Sequence, residues 1–312
     1  MKVASTRMAL LALALAAVAP AQALPPPAPM FTLHRVAPSV WAAIAGPRSK
    51  AGANAGFVVG RRAILVVDTF ENVQAAQQLL AAIRGISSLP IRYVVNTHYH
   101  IDHVAGNGLF AAAGATIMAQ TNVRRWARTD NLKFFGPNPT AAQRAWVAGI
   151  TLPDITYDQG VNIYLGGIMA EVRDRPGHTG GDSVVTIPAA NVVFTGDMLW
   201  NHMLPNLIDA STAPLIATLD GFLCDHPRAV FIPGHGEVAH AADVKAMRDF
   251  LAVLRADVGR AERAGKTGAA LTDAVMAELK PVYGDWGLWS YFAPRDIAWT
   301  AEELRGTKPL PH

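Results

Sequence analysis

The spacing of apolar positions changes twice along the chain, and each change marks a different kind of element. Between Val40 and Asp68 the apolar residues fall in short runs, VWAAI, GFVVG and AILVVD. These read as strands, with Arg61-Arg62 turning a hairpin between the second and third. The last run is apolar without interruption, as expected for a strand covered on both faces. Glu71 to Arg84 is rich in helix-forming residues, and Gly85 is a plausible stop. Ile91 to Asn96 (IRYVVN) returns to strand. The order then repeats: a helical pattern from His103 to Ala113, an extended one from Ala115 to Ala119, and a mostly helical stretch to Gly149 broken by Gly136-Pro137-Asn138-Pro139.

From Ile155 to Thr195 short apolar strands alternate with turns such as Gly166-Gly167 and Gly180-Gly181, before a helix over Ala213 to Leu223 and a strand over Ala229 to Pro233. Two strand-rich halves, each followed by helices, predict an α/β fold, an αββα sandwich with stacked sheets and helices outside. Ala239 to Ala264, Leu271 to Leu279 and Pro294 to Arg305 form a C-terminal helical extension. The expected division is 39–240 for the sandwich and 241–312 for the extension, packed on the same domain.

The beginning of the chain has another character. Lys2 and Arg7, an apolar run from Met8 to Val18 and the small-residue site Ala21-Gln22-Ala23 describe a cleavable secretory signal over residues 1–23. The mature chain is then expected to start near Leu24, in the periplasm or outside the cell. Residues 24–38 form a leader whose first part, LPPPAP, suits neither helix nor central strand. No later run supplies some twenty apolar residues, so stable membrane insertion is not expected.

Of 27 Lys and Arg, the signal carries Lys2 and Arg7, which leaves 25 against 24 acidic residues. This balance, without a basic run interleaved with aromatics, argues against a nucleic-acid partner despite a sequence pI of 9.1. Cys224 is the only cysteine and cannot form an internal disulfide. It is read as a small buried apolar residue.

The chemistry concentrates in Thr97-His98-Tyr99-His100-Ile101-Asp102-His103. If the strand runs on into this motif, His98 and His100, two apart, project to the same side and serve one metal ion. Asp102 and His103 fall where the chain turns and aim at a second ion nearby. Three further donors end apolar strands in small-residue settings: His178 in RPGHTGGD, Asp197 in VVFTGD and His235 in PGHG. The seven divide into His98, His100 and His178 for one ion, Asp102, His103 and His235 for the other, and Asp197 as a bridge. Nitrogen and oxygen donors without thiolate suit two Zn²⁺ per chain, and iron or manganese accept the same set.

The series HxHxDH, GH, GD and PGHG resembles the metallo-β-lactamase superfamily over most of residues 54–237. The resemblance implies a hydrolase acting on a small-molecule substrate. A metal-bridging hydroxide would attack an ester, lactone, thioester or lactam carbonyl, with Asp102 as the catalytic carboxylate that orients it. Asp197 at the bridging position is similar to the glyoxalase-II and lactonase type of site; class B1 β-lactamases carry cysteine there. GPRSKAGANAGFVVG, Leu165-Gly166-Gly167, FTGDMLWN and the segment Ala298 to Leu304 resemble the exported SoxH-like or quinoprotein relay system zinc metallohydrolase branch. The alternative on the same fold is a mononuclear iron persulfide dioxygenase, which metal content distinguishes.

Around these donors, Asp68 ends its strand where it can either accept the free N–H of a ligating histidine or cap the following helix. Asn201 and His202 are candidates for the pocket mouth. His34, His226, His240 and His312 lack a partnering donor pattern. Tyr283, Trp286, Trp289, Tyr291, Phe292 and Trp299 are read as packing the C-terminal helices in preference to forming a lid.

Overall fold

The computed structural model describes residues 28–46 and 48–311, so the secretory signal and the first part of the leader lie outside the described residues. The first sheet holds β1 (Phe31–Ala37), β2 (Val40–Ala45), β3 (Ala55–Val59), β4 (Ile64–Val67), β5 (Ile91–Val95), β6 (Thr116–Gln120) and β7 (Ile155–Tyr157), side by side in chain order. Pairing is antiparallel as far as β4 and parallel beyond it. Parallel neighbours need crossovers. These are α1 (Val73–Ile86), then α2 (Ile101–Val104) with α3 (Asn107–Ala112), then α4 (Thr121–Trp126), a 3-10 turn (Asp130–Phe135) and α5 (Ala141–Ala148).

The second sheet contains β8 (Gly160–Tyr164), β9 (Met169–Asp174), β10 (Ser183–Ile187), β11 (Val192–Trp200) and β12 (Val230–His235), ordered β12-β11-β10-β9-β8. Its single parallel pair, β11 with β12, is bridged by α6 (Thr212–Asp225). The chain ends with α7 (Ala241–Arg263), α8 (Gly268–Tyr283) and α9 (Trp289–Arg305). Among the described residues, no helix is long and apolar enough to cross a membrane.

β4 shows why the layers form. Leu65 and Val67 face the space between the sheets with Val185, Phe194 and Ile232, whereas Ile64 and Val66 face outward onto Leu79 and Ile83 of α1. The period-two alternation of a strand gives both faces apolar side chains, and each is covered. A third apolar cluster joins Val193 and Phe231 of the second sheet to Leu219, Phe250, Leu254, Val275 and Ile297 of the helices outside it. The architecture is the αββα sandwich with C-terminal helices, and this last cluster runs through the helical extension without a break.

Four local expectations differ from the structure. Residues 31–37, counted with the leader, form the edge strand β1, because Phe31 and Leu33 find an apolar cluster to pack on. α1 continues through Gly85 to Ile86, its last turn closed by the hydrogen bond from Ser87 N to Ile83 O. The pattern from His103 to Ala113 is two short helices, with Val104 and Phe110 buried in different clusters. Cys224 is exposed, being two residues from the buried Phe222 and so on the outer side of α6.

Candidate metal centre

The seven donors meet at one end of the sandwich, where segments leaving β4, β5, β9, β11 and β12 converge. β5 ends at Val95, so His98 and His100 belong to the loop beyond it and not to an extended strand. Strand alternation therefore does not place them. The loop is held by Asp68, which accepts hydrogen bonds from Thr97 N (2.8 Å) and Thr97 Oγ1 (2.7 Å). Asp68 adopts φ +59°, a left-handed conformation uncommon for a residue with a side chain. Its Oδ2 also lies 2.8 Å from His103 Nδ1, which leaves Nε2 of that ring for the centre. The helix after β4 is capped by Asn72, not by Asp68.

Asp197 stands within β11, and the close approach of β12 to it depends on Gly234, where an added Cβ would lie 1.9 Å from Asp197 Oδ1. The pairing of β11 with β12 shifts register here, with Gly196 at φ +53°. His178 is set by Asp182, whose carboxylate accepts from His178 N (2.9 Å), Thr179 N (2.7 Å) and Thr179 Oγ1 (2.6 Å). His235 is stacked on the Trp200 indole, ring centroids 3.7 Å apart.

Donor atoms of His98, His100, His178 and Asp197 lie within 4.8 Å of one another, and so do those of Asp102, His103 and His235. Individual separations are 3.1 Å for His100 Nδ1 to His178 Nε2, 3.0 Å for His103 Nε2 to Asp197 Oδ1 and 3.3 Å for His235 Nε2 to Asp102 Oδ2. Asp197 Oδ2 is 3.4 Å from both His178 Nε2 and His235 Nε2, and 3.7 Å from His98 Nε2. Two ligands on a tetrahedral cation with bonds of about 2.0–2.1 Å stand about 3.3 Å apart, so these spacings fit a shared ion. Of the atoms facing the centre, buried His98 Nε2, His103 Nε2, His235 Nε2 and Asp197 Oδ1 make no hydrogen bond. Polar atoms buried without partners are costly in a protein that offers nothing to fill them. The residues present therefore fit a pair of divalent cations.

Electrostatics keep Asp197 and Asp102 charged and divide the imidazoles. Burial pushes His98 well below the usual histidine range, with His103 acting in the same direction, and burial lowers His178 to about 3. At His103 and His235 burial also opposes charge, but it is outweighed. Asp197 and Asp102 hold His103 well above its usual range, and they raise His235 to about 9. Burial alone would favour the acid form of Asp197, yet His235, His103 and His98 carry it well below the usual carboxylate range.

Sequence reasoning missed the outer support of His100. Asp209, 109 residues away, places Oδ2 3.0 Å from His100 Nε2, accepts from Tyr99 Oη at 2.5 Å and pairs with Lys133 Nζ at 2.5 Å. Burial would raise Asp209, but His100 and Lys133 outweigh it and lower its pKa. The segment carrying Asp209 is itself tied to the extension. Lys308 Nζ donates to Leu207 O (2.6 Å) and Ala210 O (2.5 Å), and Glu303 accepts from Thr212 N (3.0 Å). No local pattern announces Asp209, whereas Asp182 lies inside the RPGHTGGD motif.

Asp102 and His235 form the floor of a cavity of about 710 Å³, also lined by Glu71, Trp200, Asn201, His202 and Phe292. Asn201 is buried and donates to Glu237 O at 3.0 Å. His202 is at the mouth, its side chain 61% exposed and its Nε2 3.3 Å from Asp243 Oδ1. Tyr283, Trp289 and Phe292 are buried in the helical cluster, with Trp286 and Trp299 packed against it. Tyr291, 55% exposed, faces the cavity together with Phe292.

The sequence profile of the metallo-β-lactamase superfamily matches residues 49–258, and the chain belongs to that superfamily. A hydroxyacylglutathione hydrolase of Methylococcus capsulatus is 27% identical over 188 residues, which is 60% of this chain and 64% of that protein. Another, of Mesorhizobium japonicum, is 31% identical over 122 residues, 39% of each. The chain thus covers less than two thirds of the length of these relatives. A metallo-β-lactamase from Pontibacter korlensis superimposes with a TM-score of 0.59 at 19% identity, over 71% of this chain and 99% of that one, a likeness of fold.

Proposed function

We propose that the protein is an exported hydrolase with two Zn²⁺ per chain that cleaves an ester, lactone, thioester or lactam bond in a small molecule. The reading rests above all on four buried donor atoms without hydrogen bonds, Asp197 Oδ1 and the Nε2 atoms of His98, His103 and His235, gathered at one place. Superfamily membership and relatives named hydroxyacylglutathione hydrolase support it. The export part rests on residues 1–23 alone, and residues 39–240 are read as the catalytic domain with 241–312 as its extension.

His98, His100 and His178 would hold one cation, Asp102, His103 and His235 the other, and Asp197 both. Such cations lower the pKa of water from about 15.7 towards 7 and polarise a carbonyl oxygen. The protein's own groups do the rest. Asp102, its side chain 24% exposed at the cavity floor, orients the attacking water and passes its proton to the departing atom. Burial would favour the acid, but His103 and His235 lower Asp102 to about 2, which keeps it an acceptor at neutral pH. Trp200 fixes the plane of His235, and Asp68 and Asp209 fix the tautomers of His103 and His100.

Elemental analysis of the purified protein, coupled to a panel of chromogenic esters, thioesters and a cephalosporin, tests the proposal. Two zinc per chain with turnover of a panel member is the expected result. One iron per chain with oxygen uptake on glutathione persulfide would overturn it in favour of the dioxygenase.

A further inference from the structure

Resting on the hydrolase reading, we infer that the site selects acyl compounds with an apolar or aromatic group and no anionic group, and rejects carboxylate-bearing ones. The cavity above Asp102 and His235 measures about 710 Å³, within the range of roughly 300–1,000 Å³ that suits a small organic ligand. Its walls differ in kind. On one side Met203, Leu288, Tyr291 and Phe292 give an apolar, partly aromatic surface, and Tyr291 and Leu288 are exposed in a protein that otherwise buries most large apolar side chains. On the other, Glu71 and Glu237 place two carboxylates that bind no cation around the same space.

Among the described residues, no lysine or arginine lines the cavity. The nearby cations are engaged with other groups or lie exposed to solvent outside the lining. Arg295 lies over the Tyr291 ring, 4.0 Å from its centroid, and donates to Tyr291 O at 2.5 Å. His202 faces Asp243. Arg48 and Lys50, on either side of the lining residue Ser49, are exposed. A substrate carboxylate held away from the scissile bond would thus lose water without gaining a cation, next to charges of its own sign. A glutathione thioester, with two carboxylates, falls outside the accepted class, as does a cephalosporin with its ring carboxylate. A neutral acyl group loses nothing polar and gains contact with Tyr291 and Phe292.

The test is a matched pair of p-nitrophenyl esters of one acyl length, one ending in a phenyl group and the other in a carboxylate, assayed on zinc-loaded protein of measured metal content. The phenyl ester is expected to have a kcat/KM higher by about tenfold or more. Tyr291→Ala should raise KM for the phenyl ester with kcat little changed, and the double variant Glu71→Gln/Glu237→Gln should narrow the preference by improving the carboxylate ester. Equal or better turnover of the carboxylate ester would overturn the inference and leave the hydrolase reading standing. Metal-loaded protein that turns over neither ester nor any other acyl substrate would overturn both.

Discussion

The two donor groups share Asp197 but differ in their surroundings. His98, His100, His178 and Asp197 are all buried, and the three histidines are held from behind: His98 and His178 by their near neighbours in sequence, Thr97 and Asp182, and His100 by Asp209 from a distant segment. In the second group only His103 is fully buried, and Asp102 and His235 form part of a cavity wall. The difference separates holding from reacting. On the proposed reading, the deep group would hold a cation that stays, and the outer group one that meets a substrate. Open positions characterise catalytic cation sites, and closed shells characterise structural ones.

Asp197→Ala should break the comparison altogether, because this carboxylate serves both groups. Binding of both cations is expected to fail and kcat/KM to fall by on the order of 10³-fold, the scale of losing a principal charge-stabilising group. Metal analysis and steady-state kinetics check it. Asp102→Asn should separate the groups. Activity falls by on the order of 10²-fold or more while the deep group keeps its cation, read from metal content beside kcat. Retention of activity would remove Asp102 from the catalytic role.

Asp209→Asn acts from the other side, on His100. Metal affinity of the deep group is expected to weaken by about 10–100-fold in a chelator competition, with KM little altered. A loss confined to the outer cation would contradict this division of roles.

The smallest effect sharpens the contrast between buried acids. Asp197 is surrounded by imidazoles and stays charged, whereas burial raises Asp296 of α9 well above the usual carboxylate range. Asp296 therefore stays protonated in the folded chain after it has ionised in the unfolded one, near pH 3.9. Its contribution turns unfavourable as pH rises from that value and levels off beyond its raised folded-state pKa. Asp296→Asn should accordingly raise the denaturant midpoint at pH 8 more than at pH 4. An unchanged difference between the two pH values would contradict the assignment.

Much of the layer architecture was legible because β4 and α1 bury their apolar residues at the periods that strands and helices impose, as Leu65, Val67, Leu79 and Ile83 show. The donor residues could be picked out because HxHxDH packs four donors into six positions and the other three motifs put histidine or aspartate beside glycine. What the sequence did not carry was the support from far along the chain. Asp209 reaches His100 across 109 residues, and Lys308 braces its segment from beyond the last helix. Such contacts depend on how layers dock, which no local period encodes. The placement of His98 and His100 was expected for the wrong local reason: Asp68 holds their loop, and strand alternation has no part in it.

The central claim is that two cations occupy two distinct donor groups sharing Asp197. Anomalous diffraction at the zinc edge from zinc-loaded crystals tests it most directly. Two peaks are predicted, one about 2.0–2.1 Å from His98 Nε2, His100 Nδ1 and His178 Nε2, the other at that distance from His103 Nε2 and His235 Nε2. A single peak, or peaks away from these nitrogens, would contradict the account.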